Sequence, residues 1–133
     1  MFARGFAVVL LVLGSSWFQA LGQNQNPADM YREFAAAAKK ANALDQIAHY
    51  LSTALLKDMK AAPKEQQGKW LKFMKEIWDL KDFKVTNESI TGDRCILDAT
   101  GKNAAGKQAK GKIELVREQG VWKLADESWA SDL

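Results

Sequence analysis

The spacing of apolar residues changes once along this chain, near Phe83, from a period of 3.6 to a period of two. The first period is that of helices with one buried face, and the second is that of strands with one buried face. Because the helical segments all precede the strand segments, the sequence predicts an α+β domain. Its strands are joined by short turns, which connect antiparallel neighbours. The expected sheet is therefore an antiparallel meander of four strands.

Three helices are predicted before that point, over 28–41, 43–60 and 64–80. Asn42 separates the first two, because asparagine favours capping and left-handed conformations, and Pro63 suits the start of the third. The third helix carries apolar residues over roughly half of its circumference, which is more than packing on one side requires. It is therefore either packed on both sides or partly in contact with a ligand or another subunit.

Four strands are predicted from Phe83 onwards, joined by turns that contain glycine. Their sequences are FKVTNESI, RCILDAT, QAKGKIELVRE and VWKLADESW. On the last strand Trp122 and Leu124 share a face, and Trp129 is assigned to the same face, whereas Asp126 points away. One apolar face and one polar face are typical of an antiparallel sheet that helices cover on one side.

Residues 1–22 have the three parts of a cleavable signal peptide. A short start with one positive charge, Arg4, precedes an apolar run, and Ala20 and Gly22 supply small residues before the expected cleavage point. The apolar run is shorter than the roughly 20 residues that cross a bilayer. The expected organisation is a signal peptide over 1–22, a polar leader over 23–27, a single α+β domain over 28–129 and a tail over 130–133.

The sequence thus predicts export to the periplasm or the medium, without a lipid anchor. A lipoprotein signal needs a cysteine just after its apolar run, and the single cysteine of the chain is Cys95. Alternation places Cys95 with Leu97 and Ala99 on the apolar face of the second strand. We therefore expect Cys95 to be buried as a small hydrophobic residue, and no disulfide can form within the chain.

Charge and residue types exclude several classes of function. The formal net charge is +3, and acidic and basic residues are mixed along the chain, so no nucleic-acid-binding face is expected. The single histidine and the lack of a CxxC motif leave no predicted metal site. No glycine-rich loop opens a helix to hold a phosphate group. The sequence therefore predicts no catalytic, cofactor-binding or metal-binding residues.

Three segments of the predicted sheet carry a resemblance to a known family: KVTNESITGDRCILDATG, KIELVREQG and VWKL. They resemble the small exported bacterial members of the nuclear transport factor 2-like superfamily, which has a cystatin-like α+β fold. The resemblance extends over residues 28–129. It implies a curved sheet that forms a cone, with helices closing its mouth around an apolar core or pocket. The superfamily hosts unrelated activities, so the resemblance implies a fold and not a function.

The resemblance also implies which side chains line the core or pocket of the cone. These candidates are Phe34, Leu51, Leu55, Trp70, Phe73, Leu97, Ile113, Leu115 and Trp122. Enzymes on this fold use Asp, Tyr or His inside the cone. Here Asp98 and His49 are expected to face outwards, so no inward-facing acid or base is predicted.

The function expected from these features is that of an exported, non-enzymatic binding or interaction module of the bacterial cell envelope. Its partner would be a small apolar ligand, another protein or a second copy of the chain. The alternative is a small isomerase-, dehydratase- or hydrolase-like enzyme on the same fold.

Overall fold

The computed structural model describes residues 25–77 and 79–131. Their elements are the helices α1 (Pro27–Lys40), α2 (Thr53–Ala61) and α3 (Lys64–Ile77), the 3₁₀ turns Leu44–Gln46 and Ala48–Tyr50, and the strands β1 (Lys81–Thr91), β2 (Arg94–Lys102), β3 (Gln108–Glu118) and β4 (Val121–Ser131). The strands form one antiparallel sheet in the order β1-β2-β3-β4. The predicted α+β class and four-stranded antiparallel sheet are confirmed.

The predictions about the two ends of the chain fall mostly outside these bounds. The predicted signal peptide over 1–22 lies outside the described residues, and only the end of the 23–27 leader is described. Strand β4 continues through Ser131, so the first two residues of the predicted 130–133 tail belong to the last strand, and the other two lie outside the described residues. Within the described part of the chain, no helix combines the length and apolar character needed to cross a bilayer.

Helix α1 begins at a sequence-encoded cap and presents one apolar face to the sheet. The side chain of Asn26 accepts a hydrogen bond from the backbone N–H of Asp29 at 2.8 Å, and Pro27 occupies the first turn, where its missing N–H costs nothing. Tyr31 and Phe34 are completely buried. This helix packs on both α3 and β4, so it lies between the sheet and the outer helix.

The predicted continuous helix over 43–60 is wrong in its first half. The chain forms two 3₁₀ turns there and then becomes extended at Leu51, which bridges to Leu124 of β4. The backbone N–H of Ser52 donates to the carbonyl of Leu124 at 2.8 Å, and the Ser52 hydroxyl accepts from the N–H of Leu55 at 3.1 Å. Pairing with the sheet thus overrides helix propensity, and Ser52 caps a new helix, α2.

A one-residue bulge interrupts the pairing of β3 with β4. Glu114 pairs with Asp126, but the next residue, Leu115, pairs with Leu124, so Ala125 is an extra residue in β4. Because side chains alternate along a strand, one inserted residue exchanges the two faces beyond it.

The bulge determines which end of β4 carries polar groups into the core. Before it, the buried side chains of Trp122 and Leu124 face the helices. After it, Glu127 and Trp129 face the helices, since Glu127 bonds to Tyr31 and Trp129 packs against the buried core. The assignment of Trp129 to the face of Trp122 agrees with this arrangement.

Cys95 lies on the apolar face of β2 with no exposed surface, which confirms the prediction that it is buried. Burial raises the pKa of its thiol to about 11, and the charge of Glu88 adds to this effect. Because the thiolate is the reactive form, both effects protect the residue from alkylation.

We expect Cys95 in the native protein to react with iodoacetamide at least roughly 100-fold more slowly than in urea, since reaction requires opening of the core. Mass spectrometry at timed intervals measures both rates. Similar rates in the two conditions would show that the β2 face is not covered as described.

Candidate functional site

A buried pair of polar side chains connects α1 to β4. The hydroxyl of Tyr31 donates a hydrogen bond to Oε2 of Glu127 at 2.7 Å. The second carboxyl oxygen, Oε1, is buried and makes no hydrogen bond of normal geometry with the described residues. The prediction that no acid or base faces inward is therefore wrong, and the bulge at Ala125 is the reason.

Burial dominates the electrostatics of this pair. It raises the pKa of Glu127 to about 7, because a charged carboxylate loses its hydration there. The hydrogen bond from Tyr31 and the nearby indole of Trp129 lower this pKa in part, and the charge of Asp126 raises it. Burial and then the charge of Glu127 raise the pKa of Tyr31 well above its usual value. The carboxyl group of Glu127 can therefore gain or lose a proton near neutral pH although it is surrounded by apolar side chains.

Aromatic rings surround the pair. The Tyr31 ring lies 5.9 Å from that of Phe83 in a stacked arrangement, and Phe83 lies 6.3 Å from Trp129. The indole of Trp129 rests directly on the backbone of β3 at Gly111, where a Cβ would come within 2.6 Å of three ring atoms. Glycine at this position is thus what lets Trp129 lie flat against the sheet.

A groove of about 320 Å³ opens on the outer side of Trp129, between α3 and the end of β4. Its lining residues are Phe73, Glu76, Leu80, Asn103, Ala109, Trp129, Ala130 and Ser131. Phe73 is 55% exposed, so a large part of its apolar ring faces the water in this groove. Leu80 separates this groove from a second hollow of about 320 Å³ beside Phe83 and Arg32. We call the first of these the aromatic groove.

A larger hollow lies elsewhere, between α2 and the turn from β3 to β4. It has a volume of about 600 Å³, and its lining residues are Ala48, His49, Leu51, Thr53, Leu56, Lys57, Lys60, Glu118, Gln119 and Lys123. We call it the basic cleft. It shares no residue with the aromatic groove and does not include the Tyr31–Glu127 pair. The basic cleft thus lies apart from the side chains with perturbed pKa values, whereas the aromatic groove adjoins Glu127 through Trp129.

The structure distributes the nine predicted lining residues over three environments. Phe34, Leu51, Leu97, Ile113, Leu115 and Trp122 are buried in the core, Leu55 and Trp70 are half-buried against it, and Phe73 lies outside it in the aromatic groove. His49 is exposed, 4.0 Å from the ring of Tyr50. Asp98 faces away from the helices and accepts a hydrogen bond from Asn87.

Glu127 is the residue that sequence reasoning missed. One signal for it was available: Trp122 and Leu124 occupy even positions, whereas Trp129 is odd, so one buried face can hold all three only if a residue is inserted between them. Such an insertion also turns Glu127 inward.

No group of three or more His, Cys, Asp or Glu side chains is placed to hold a metal ion in the described ranges.

Comparison with known proteins gives a likeness of fold. No protein-family model matches this sequence, and no curated protein matches it. The chain is similar to the solution structure of a SEC-C motif-containing protein from Rhodopseudomonas palustris, at 15% identity over 77% of each chain and a TM-score of 0.50. It is also similar to a crystal structure from Campylobacter jejuni described as a nuclear transport factor 2-like transpeptidase.

The second similarity has 12% identity, covers 77% of this chain and 99% of that one, and has a TM-score of 0.49. Identities this low show a shared fold and leave function open, and a TM-score below 0.5 carries no argument of its own. What the protein does must therefore be inferred from its own residues.

Proposed function

We propose that this chain is an exported, non-enzymatic binding module with a nuclear transport factor 2-like cone, and that it retains a small, mainly apolar ligand in the aromatic groove. The amino-terminal sequence supports export, and the order of strands and turns supports the cone. Its envelope location and its bacterial origin are parts of the same proposal.

The observation that carries the proposal is the half-exposed Phe73 beside Trp129 in a concave groove. An apolar ligand would cover the Phe73 ring, and each square ångström of apolar surface removed from water contributes about 25 cal/mol. The volume of about 320 Å³ lies at the small end of the range for ligand pockets. Asn103 and Glu76 supply a few polar groups at the rim, which suits a ligand with one polar end.

We expect the neutral fluorophore N-phenyl-1-naphthylamine to bind the wild-type protein saturably, and Phe73→Ala to weaken its binding about five- to tenfold. The matched control is Ile90→Ala, because Ile90 is 49% exposed but lies on β1, outside the groove. Fluorescence titration gives each dissociation constant, and circular dichroism checks each fold. Equal weakening in the two variants, or no saturable binding to the wild type, would contradict the proposal.

An acid–base enzyme is the second candidate, and the Tyr31–Glu127 pair favours it. A carboxyl group with a pKa of about 7 is suited to proton transfer near neutral pH. However, Glu127 lines neither the groove nor the cleft, and its Oε1 atom is enclosed. Direct contact with a substrate would require Trp129 to move. A ligand that wild-type protein converts and Glu127→Gln protein does not would favour this function over simple binding.

A further inference from the structure

The basic cleft collects positive charge from separate elements around one hollow. Lys57 and Lys60 lie one turn apart on α2, and Lys123 approaches from β4 on the opposite side. No carboxylate in the described part of the chain lies within ion-pair distance of any of these three lysines. Like charges so placed repel one another, and an anion between them would relieve that repulsion.

The single acid of the cleft is already engaged. Glu118 accepts hydrogen bonds from the backbone N–H of Thr53 at 3.1 and 3.2 Å and from its hydroxyl at 3.0 Å. Its negative charge therefore offsets the partial positive charge at the amino end of α2, and it does not neutralise the lysines. Lys123 is held in position by a hydrogen bond from its ammonium group to the carbonyl of His49. The cleft is thus built to keep a surplus of positive charge.

Between the lysines the cleft has an apolar lining. Leu51 is buried, Leu56 is half-buried, and Ala48 completes the lining beside them. A hollow of about 600 Å³ with an apolar lining and a basic rim complements a molecule that has an acidic head and an apolar chain. The concave shape favours one free molecule over a membrane, because a broad lipid surface cannot reach the apolar lining of a hollow, whereas a small molecule can.

We propose that the basic cleft binds a free anionic amphiphile, a carboxylate or phosphate monoester on an alkyl chain. The head group lies among Lys57, Lys60 and Lys123, and the chain lies along Leu51 and Leu56. This site is separate from the aromatic groove and does not depend on the function proposed for it.

Dodecanoate, used below its micelle-forming concentration, tests the proposal by isothermal titration calorimetry. We expect one saturable site on the wild-type protein, a roughly two- to fivefold loss of affinity for each of K57Q, K60Q and K123Q, and weakening as salt rises. Octanoate should bind more weakly, by roughly two- to fourfold for each methylene removed from the lining. The control K84Q removes an exposed lysine of β1, outside the cleft, and should bind as the wild type does.

Three outcomes would overturn the proposal. One is equal affinity in the triple variant K57Q/K60Q/K123Q and in K84Q. Another is equal affinity for dodecanoate and uncharged dodecanol. The third is lysine-dependent association with phosphatidylglycerol vesicles without saturable dodecanoate binding, because the surface would then serve a membrane and not a free ligand.

Discussion

Replacing Glu127 with Gln is expected to remove about 3 kcal/mol of pH dependence from the free energy of unfolding. The pKa of Glu127 is about 7 in the folded protein and 4.5 in its ordinary state. Between these values the folded protein keeps a proton that the unfolded chain has released, so the folded state loses stability as pH rises. The contribution is complete below about pH 4.5 and is lost above about pH 7, and the size follows from 1.36 kcal/mol per pH unit.

Urea unfolding at several values from pH 4 to pH 8 measures this effect as the difference between wild type and Glu127→Gln. Subtracting the two curves cancels the other titrating groups, and it also cancels the constant cost of burying an amide in place of the carboxyl group. Asp126→Asn is the control, because Asp126 is exposed on the other face of β4 and contributes least to the shifted pKa. Parallel curves for wild type and Glu127→Gln would show that Glu127 is not buried as described.

The strands could be predicted from sequence because their information is local. Alternating apolar residues bounded by short turns specify both the strands and their antiparallel order. Each of the three turns contains a glycine with positive φ, at Gly92, Gly106 and Gly120, where most other residues would be strained. Each turn fixes the pairing of the two strands that it joins. The strand order of the sheet therefore follows from contacts between strands that are adjacent in the sequence.

The first half of the second helix could not be predicted in the same way. Leu44, Ile47 and Leu51 are buried as the apolar stripe indicates, but they reach the core from 3₁₀ turns and an extended segment. Their spacing of three and four residues fits either form. The deciding interaction is the bridge from Leu51 to Leu124, which lies more than 70 positions away in the sequence. No local sequence pattern indicates this contact.

The candidate site was mispredicted because it depends on a single inserted residue. Strict alternation from Leu124 would put Asp126 inside and Glu127 outside, whereas the bulge at Ala125 places Asp126 on the outer face, as predicted, and turns Glu127 inward, which was not predicted. An acid therefore enters the aromatic end of the core, where Tyr31 provides its hydrogen bond. A strand pattern that includes Trp129 as well as Trp122 could have indicated the bulge, but the partner of Glu127 lies on a helix at the other end of the chain.

The position of Trp129 makes a further large effect predictable at Gly111. A Cβ there would lie 2.6 Å from three atoms of the indole, so Gly111→Ala must displace the ring or shift the strand. We expect a loss of about 2 kcal/mol in the free energy of unfolding, since overpacking of a core costs about 1–3 kcal/mol. Gly68→Ala is the matched control, because a Cβ at Gly68 in α3 meets nothing within 4 Å. That substitution should raise stability by about 0.5–1 kcal/mol through helix propensity.

A double-mutant cycle tests whether the indole is the cause. In a Trp129→Leu background, Gly111→Ala should cost less than about 1 kcal/mol, because the atoms that it would meet are gone. An unchanged cost there would assign the effect to the backbone of β3 instead. Displacing the indole should also expose the Tyr31–Glu127 pair to water and lower the pKa of Glu127 towards its ordinary value. Gly111→Ala should therefore reduce the pH dependence that Glu127 confers, whereas Gly68→Ala should leave it unchanged.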